Sequence, residues 1–425
     1  MSRIAVVLLI LAPFVAWDAA AWVMRSRGDT SQARRSEILR HFTEQEIAVG
    51  REHVVRHNRL FPFYRIIFYA FYAALLFGGL AGRLESWLLS LLGGRWYCAL
   101  PVFLLALLAS QVLVYLPFSI YREFVIEKQM GLSTITAGTF ALDRVKSLGL
   151  SLVIATLVGL PVIWLVKSLP GWWPAPAAGV ILAISAFGIW ISPWVIDPLF
   201  NKFTPLENEK LEKEIREVSA EAGLGVKKVY VMDASRRSLY LNAYFTGLGN
   251  SRRVVLYDTL VNQCSGEEVL SVVAHELGHW KWHHIRKGFA LEAIGVVAGL
   301  WLFWWLLHWE TGRAFFGLAE PGSLVLLVLL PFLLDLSGTL TQPAISAVSR
   351  HFERQADRTS LEFTHDPQAF ISLEIKLVRL AKSDLLSPRL LHRFYGSHPL
   401  PEQRIRMAEG WGAKAPPGCP ATGSQ

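Results

Sequence analysis

Seven apolar stretches, at roughly 4–24, 62–82, 100–120, 148–167, 175–197, 288–309 and 322–345, dominate this 425-residue chain. Each is close to the ~20 residues that cross a ~30 Å hydrocarbon core at 1.5 Å per residue. A backbone in lipid must satisfy its own polar groups, so such stretches can only be helices there. The predicted class is therefore a mainly α, polytopic membrane protein with about seven transmembrane helices. The first stretch has two readings. "MSRIAVVLLILAPFVAWDAAA" combines a basic start, an apolar run and a small-residue end, as a cleaved signal peptide does, whereas its length suits an anchored helix.

The charges between these stretches are uneven. Residues 25–61 hold eight arginines and 121–147 four Lys or Arg, against two in 83–99, none in 168–174 and one in 310–321. The positive-inside rule then puts the 198–287 loop and the C-terminus in the cytoplasm. It also accounts for the net charge of +8 without nucleic acid, which is excluded as a partner. Cys98, Cys264 and Cys419 are widely spaced and lack a CxxC, so neither a disulfide framework nor a thiolate metal site is indicated.

The long polar stretch 198–287 reads as a small α+β unit. "ENEKLEKEIREVSAEAGL" places Leu211, Ile215, Val218 and Ala222 on one helical face, with a stop at Gly223 or Gly225. "KKVYVMD" and "RRVVLYD" read as strands, and the second closes a hairpin turning at Gly247–Asn250. These divisions predict a membrane domain over 1–200, a second domain over 201–410 that includes the spans 288–309 and 322–345, and a disordered tail over 411–425.

Ser265 and Glu268 form a capping-box pattern, so a helix should start there and run through "SVVAHELGHWKWHHIRKG". On it His275 and His279 lie 40° apart and one turn along, able to hold one ion, while Glu276 stands beside them. That is the HExxH arrangement, in which the carboxylate is the general base for a zinc-activated water. On a continuous helix His283 lies a further turn away and His284 opposite, so both read as an interfacial collar with Trp280 and Trp282. A third ligand is needed. In "SRHFERQADRTS", Glu353 and Asp357 share a helical face, Glu353 suited to the metal and Asp357 to a hydrogen bond with a ligand histidine. From spacing alone a solvated surface pair fits equally well. A non-enzymatic transporter or metal-handling protein is the alternative to a protease. It would carry its ionisable residues at mid-membrane in matched halves, and no matching half is evident.

The blocks "FVIEKQMGLS", "PLFNKFTPL", "RRSLYLNAYFTGLGNSRRVVLYDTL", "EEVLSVVAHELGHWK", "SRHFERQAD" and "SHPLPEQRI" resemble, in order, the type I CAAX prenyl endopeptidases, integral-membrane zinc proteases of the gluzincin kind. The resemblance covers about residues 60–410. It implies one Zn2+ held by His275, His279 and Glu353, with Glu276 as base and Asp357 as the acidic residue of the E-x-x-x-D element. It also implies Asn242, with Ala243 and Tyr244, on a strand that pairs with the substrate backbone, and His398 at the oxyanion. Seven helices ringing a large chamber are implied as well, and the short link between "YDTLV" and "GEEVL" suits a bacterial member. The expected protein is a multi-pass enzyme of a bacterial inner membrane, with its catalytic site facing the cytoplasm. It would act on peptides or proteins, prenylated or membrane-inserted, as in quality control of membrane and exported proteins.

Overall fold

The structure, a computed structural model, describes residues 3–226, 228–246, 253–318 and 320–412. The first apolar stretch forms helix α1 (Arg3–Arg27), followed by the short α2 (Gln32–Ile38) and the long α3 (Glu44–Leu76). A Thr43/Glu46 capping box starts α3 well before the apolar stretch begins. The predicted span 62–82 stops early, at Leu76, because Gly79 takes φ +70°, a conformation glycine enters without steric cost. The chain turns there into α4 (Leu80–Leu91). Next come α5 (Trp96–Tyr121), α6 (Ala137–Ser168) and α7 (Pro174–Ile191). A π-helical turn, Arg122–Glu127, extends α5, and a second, Ser192–Ile196, leads from α7 into α8 (Asp197–Phe200).

The polar stretch folds as expected. It contains β1 (Phe203–Pro205), α9 (Glu209–Glu221), β2 (Lys228–Met232), β3 (Ala243–Thr246) and β4 (Arg253–Tyr257). The sheet order is β1-β2-β4-β3, with β2 and β4 parallel and the outer pairs antiparallel. The hairpin of β3 and β4 is present, while its turn at Gly247–Asn250 lies outside the described residues, as does the tail beyond residue 412. Leu211 and Ile215 of α9 are buried and Val218 and Ala222 pack beside them, and Gly223 ends the helix at φ +75°.

After α10 (Asp258–Gln263) come α11 (Gly266–Lys281), α12 (His284–His308) and α13 (Glu310–Phe315). Then α14 (Leu326–Thr364) runs unbroken for 39 residues. The helices α15 (Pro367–Ala381), α16 (Arg389–Tyr395) and α17 (Pro401–Gly412) complete the chain. Among the described residues, six helices are long and apolar enough to cross a membrane: α3, α5 with its π turn, α6, α7 with its extension, α12 and α14. Their buried faces share one core, from Tyr72 and Leu100 to Ile163, Phe303 and Leu329. A separate core joins the sheet to α9 and α11 through Ile215, Val254, Leu256, Val273 and Leu277.

The polar residues of the apolar stretches find partners in the fold. Arg65 bonds Asp18 of α1 at 2.7 Å and Asp335 of α14 at 2.8 Å, joining three helices by one guanidinium. Glu292 accepts from Ser185 at 2.8 Å, and Gln342 donates to Ser346 at 3.0 Å. In a low-dielectric surround an unpaired charge would be costly, which explains why each is matched.

Candidate active site

The site is built where α11 crosses α14. Gly278 sits at the crossing, and a Cβ there would stand 2.7 Å from Ala356 Cα and 3.0 Å from Thr359 Cβ. The missing side chain lets the two backbones approach closely. Ser360 Oγ donates to the Ser271 carbonyl at 2.7 Å, and Trp282 Nε1 to Thr359 Oγ1 at 3.1 Å, fixing the register. One face of α11 thus meets one face of α14, His275 and His279 opposite Glu353 and Asp357. Gly278→Ala should force the helices apart at a cost of about 1–3 kcal/mol. Lowered thermal stability together with weakened metal binding is the expected outcome. Wild-type values for both would contradict this account of the crossing.

His275 Nε2 and His279 Nε2 are 3.2 Å apart, and stand 3.3 and 3.5 Å from Glu353 Oε2 and Oε1 respectively. A tetrahedral ion with ligands at ~2.0–2.1 Å has ligand–ligand edges of ~3.3–3.4 Å. Glu353 Oε2 is buried and takes no hydrogen bond among the described residues, although His275 and His398 Nε2 both stand 3.3 Å from it. Lone pairs converge here on one point, and a cation is what satisfies them. His275, His279 and Glu353 are accordingly a group able to hold a metal ion.

The outer nitrogens are held as ligand imidazoles require. His275 Nδ1 is 2.9 Å from Asp357 Oδ1, so its N–H donates there and Nε2 keeps its lone pair. Asp357 is itself gripped by Arg404, through Nε to Oδ2 at 2.9 Å and through Nη2 to Oδ1. Arg404 also pairs with Glu374 of α15. Burial pushes the Glu374 carboxyl up to about 7, against the pull of Arg404. Neither Arg404 nor Glu374 was singled out from the sequence. The signal available was the arginine of "SHPLPEQRI", but nothing local links it to Asp357, 47 residues earlier.

His284 corrects an expectation. Helix α11 does not continue into the next span, since beyond its end His283 adopts φ +56°, a left-handed conformation uncommon outside glycine. The turn swings His284 back, buried, with Nδ1 3.0 Å from His279 Nδ1 and Nε2 3.0 Å from Gln355 Oε1. Its ring stacks on Phe352 at 4.1 Å. One proton assignment satisfies the row: His279 Nδ1–H donates to His284, and His284 Nε2–H donates to Gln355. His284 therefore orients His279 as Asp357 orients His275, and is no part of an interfacial collar.

Glu276, between the two histidines, makes no hydrogen bond or ion pair among the described residues. Burial pushes its carboxyl up to about 7; His275 opposes the shift and Glu353 adds to it. His398, in the link between α16 and α17, reaches the far side of Glu353, and Ser397 Oγ lies 2.8 Å from its Nδ1.

The edge strand β3 flanks α11. Asn242 immediately precedes it, with its carbonyl bonded inward to Tyr257 N–H at 3.0 Å and its Oδ1 accepting from Ala243 N–H at 2.9 Å. By antiparallel alternation, Ala243 and Phe245 turn their backbone groups to the open edge. The Ala243 side chain is buried in the sheet core, and the Tyr244 hydroxyl donates to Asp197 at 3.3 Å.

The comparisons with known proteins match most of this architecture. The family model for peptidase family M48 matches residues 205–412, and that for the CAAX prenyl protease N-terminal region, five membrane helices, matches residues 30–202. The chain is 31% identical over 367 residues to an uncharacterized metalloprotease, YhfN, of Bacillus subtilis, covering 86% of this chain and 85% of that one. It is 33% identical over 300 residues to a CAAX prenyl protease 1 homolog of rice, covering 69% of each. The crystal structure of S. mikatae Ste24p superposes with a TM-score of 0.80 at 25% identity, covering 94% of this chain and 97% of that one. With its membrane helices, crossed α11 and α14 and converging histidines, this chain belongs to peptidase family M48 and is a multi-pass membrane metalloprotease related to the CAAX prenyl proteases.

Proposed function

We propose that the metal is zinc, one ion at this site, held by His275, His279 and Glu353, and that the chain cleaves peptide bonds within polypeptides. The observation that carries this reading is the buried Glu353 carboxylate, its Oε2 without a hydrogen bond among the described residues, with the His275 and His279 Nε2 atoms 3.3 and 3.5 Å from its two oxygens, close to tetrahedral-edge spacing. Zinc held by these residues would supply a water of lowered pKa and a Lewis acid for the substrate carbonyl. Glu276, without a hydrogen bond or ion pair among the described residues, would take the proton of the attacking water and hand it to the departing amine. Asp357 and His284 hold the two imidazoles in the tautomer that leaves Nε2 available. His398, 3.3 Å from Glu353 Oε2, would donate to the developing oxyanion. A substrate in extended conformation would add to the open edge of β3, pairing with the outward Ala243 carbonyl and the Phe245 backbone groups, while Asn242, whose Oδ1 already holds the Ala243 N–H, and Tyr244 bound that strand.

The loop charges favour a site facing the cytoplasm, as in a bacterial inner membrane. A substrate class that suits it is a membrane-inserted or exported polypeptide presented for turnover. A prenylated C-terminus is the second reading, favoured by the CAAX prenyl protease names of the plant and yeast relatives. A chamber among the spans, expected from the family, would give either substrate its approach. The test is a matched panel of prenylated and unprenylated peptides offered to the full chain in detergent. Cleavage should stop with a chelator and return with zinc. Cleavage insensitive to chelation would sink the metal reading, and a strict requirement for the prenyl group would select the second substrate class.

A further inference from the structure

Away from the catalytic crossing, a second set of ligand-type side chains converges. His53 and His57 lie four residues apart on α3, the spacing His275 and His279 have on α11, and their ring centroids are 4.9 Å apart. The π turn that extends α5 delivers Glu127 between them. Its Oε1 is 2.8 Å from His57 Nε2 and 3.4 Å from His53 Nε2. One ligand atom from each of the three lies within 4.8 Å of the others.

We propose that His53, His57 and Glu127 form a second site for a divalent transition ion, zinc being the ion such a nitrogen–oxygen set suits. The outer contacts are those of a ligand set. His53 Nδ1 faces the Lys382 carbonyl oxygen at 3.3 Å, which holds a proton on Nδ1 and leaves the Nε2 lone pair directed at Glu127. The second carboxylate oxygen, Oε2, accepts from the Tyr240 hydroxyl at 3.2 Å, so Glu127 is oriented from behind.

Hydrogen bonding alone constrains the protonation of this trio. Both Nε2 atoms point at the same oxygen. Were each a donor, His53 would need protons on both nitrogens, because its Nδ1 already faces a carbonyl. A cation would let both rings stay neutral, with the 2.8 Å contact between His57 and Glu127 opening to the ~3.3 Å edge of a tetrahedral site. His57, Glu127 and Tyr240 also line an open cavity of about 480 Å³, which gives an ion access and leaves room for water at the remaining coordination position.

This site shares no residue with the catalytic one and goes beyond the function proposed above. It ties α3 and the end of α5 to two parts of the catalytic half. One is Tyr240, two residues ahead of Asn242; the other is the turn at Lys382, which holds φ +48° after α15. The ion would thus brace the approach to the substrate strand against the membrane helices.

The experiment is metal counting on the purified full chain after equilibration with micromolar zinc and removal of loose ions. Wild type should carry two zinc ions, and Glu127→Gln one. The amide keeps the size and the Tyr240 contact, so this variant guards against loss through misfolding. His53→Ala/His57→Ala should also carry one, and Glu353→Ala one, at the second site. The inference is overturned if Glu127→Gln and the double histidine variant bind as much zinc as wild type. Should only the catalytic reading fail, wild type binds one ion and Glu127→Gln none, which keeps the two claims separable.

Discussion

Glu276→Gln should retain its zinc and lose proteolysis by about 10²–10⁴-fold, the range a positioned general base contributes. The amide is isosteric and cannot accept a proton, and Glu276 touches neither Glu353 nor a histidine through a bond that holds the site together. A variant with wild-type zinc and wild-type turnover would remove Glu276 from the chemistry. The pH profile provides an independent check on the same carboxylate. Burial raises Glu276 from 4.5 to about 7, and only its ionised form is a base. Activity should therefore fall as pH drops, along an acid limb lying between those two values, because a bound cation pulls the carboxyl back down. Glu276→Gln should lack that limb in whatever activity remains.

Glu353→Ala should empty the catalytic site. It removes the only carboxylate in that trio and leaves two neutral imidazoles to hold a divalent ion. The cleanest measurement combines it with His53→Ala/His57→Ala and counts zinc, the expected result being none. Proteolysis should disappear with the ion. The buried imidazoles would still have their outer hydrogen bonds to Asp357 and His284, so the fold at the α11–α14 crossing should survive. Zinc retained at the catalytic site in this variant would strike Glu353 from the ligand set.

What was legible in the sequence follows the range of the interaction that carries it. The four-residue spacings are local, so His275, Glu276 and His279 could be placed on one helix from sequence alone. Glu353 and Asp357 could be placed on one face, yet nothing near them separates a ligand pair from a surface pair. That distinction is made by Gly278 meeting Ala356 across 78 residues of chain. The early end of α3 was visible in Gly78–Gly79, but a run of apolar residues on both sides masked it. His284 was misplaced because the helix breaks at a histidine rather than a glycine, and no local cue marks His283 for positive φ. Arg404 and Glu374 were missed for the reason that makes them useful, since they act on the site only through Asp357.

The two helices that grip the metal are anchored differently. The turn at His283 separates α11 from the span α12, whereas α14 carries Glu353 on the same 39-residue rod that crosses the membrane. Glu353 lies ~25 Å along that rod from Leu336, so a ~5° change in tilt displaces it by ~2 Å. Metal–ligand distances tolerate only about 0.2 Å. A tilt imposed on α14 by the bilayer would therefore have to be carried through the Gly278 crossing to α11 for the cage to keep its ion.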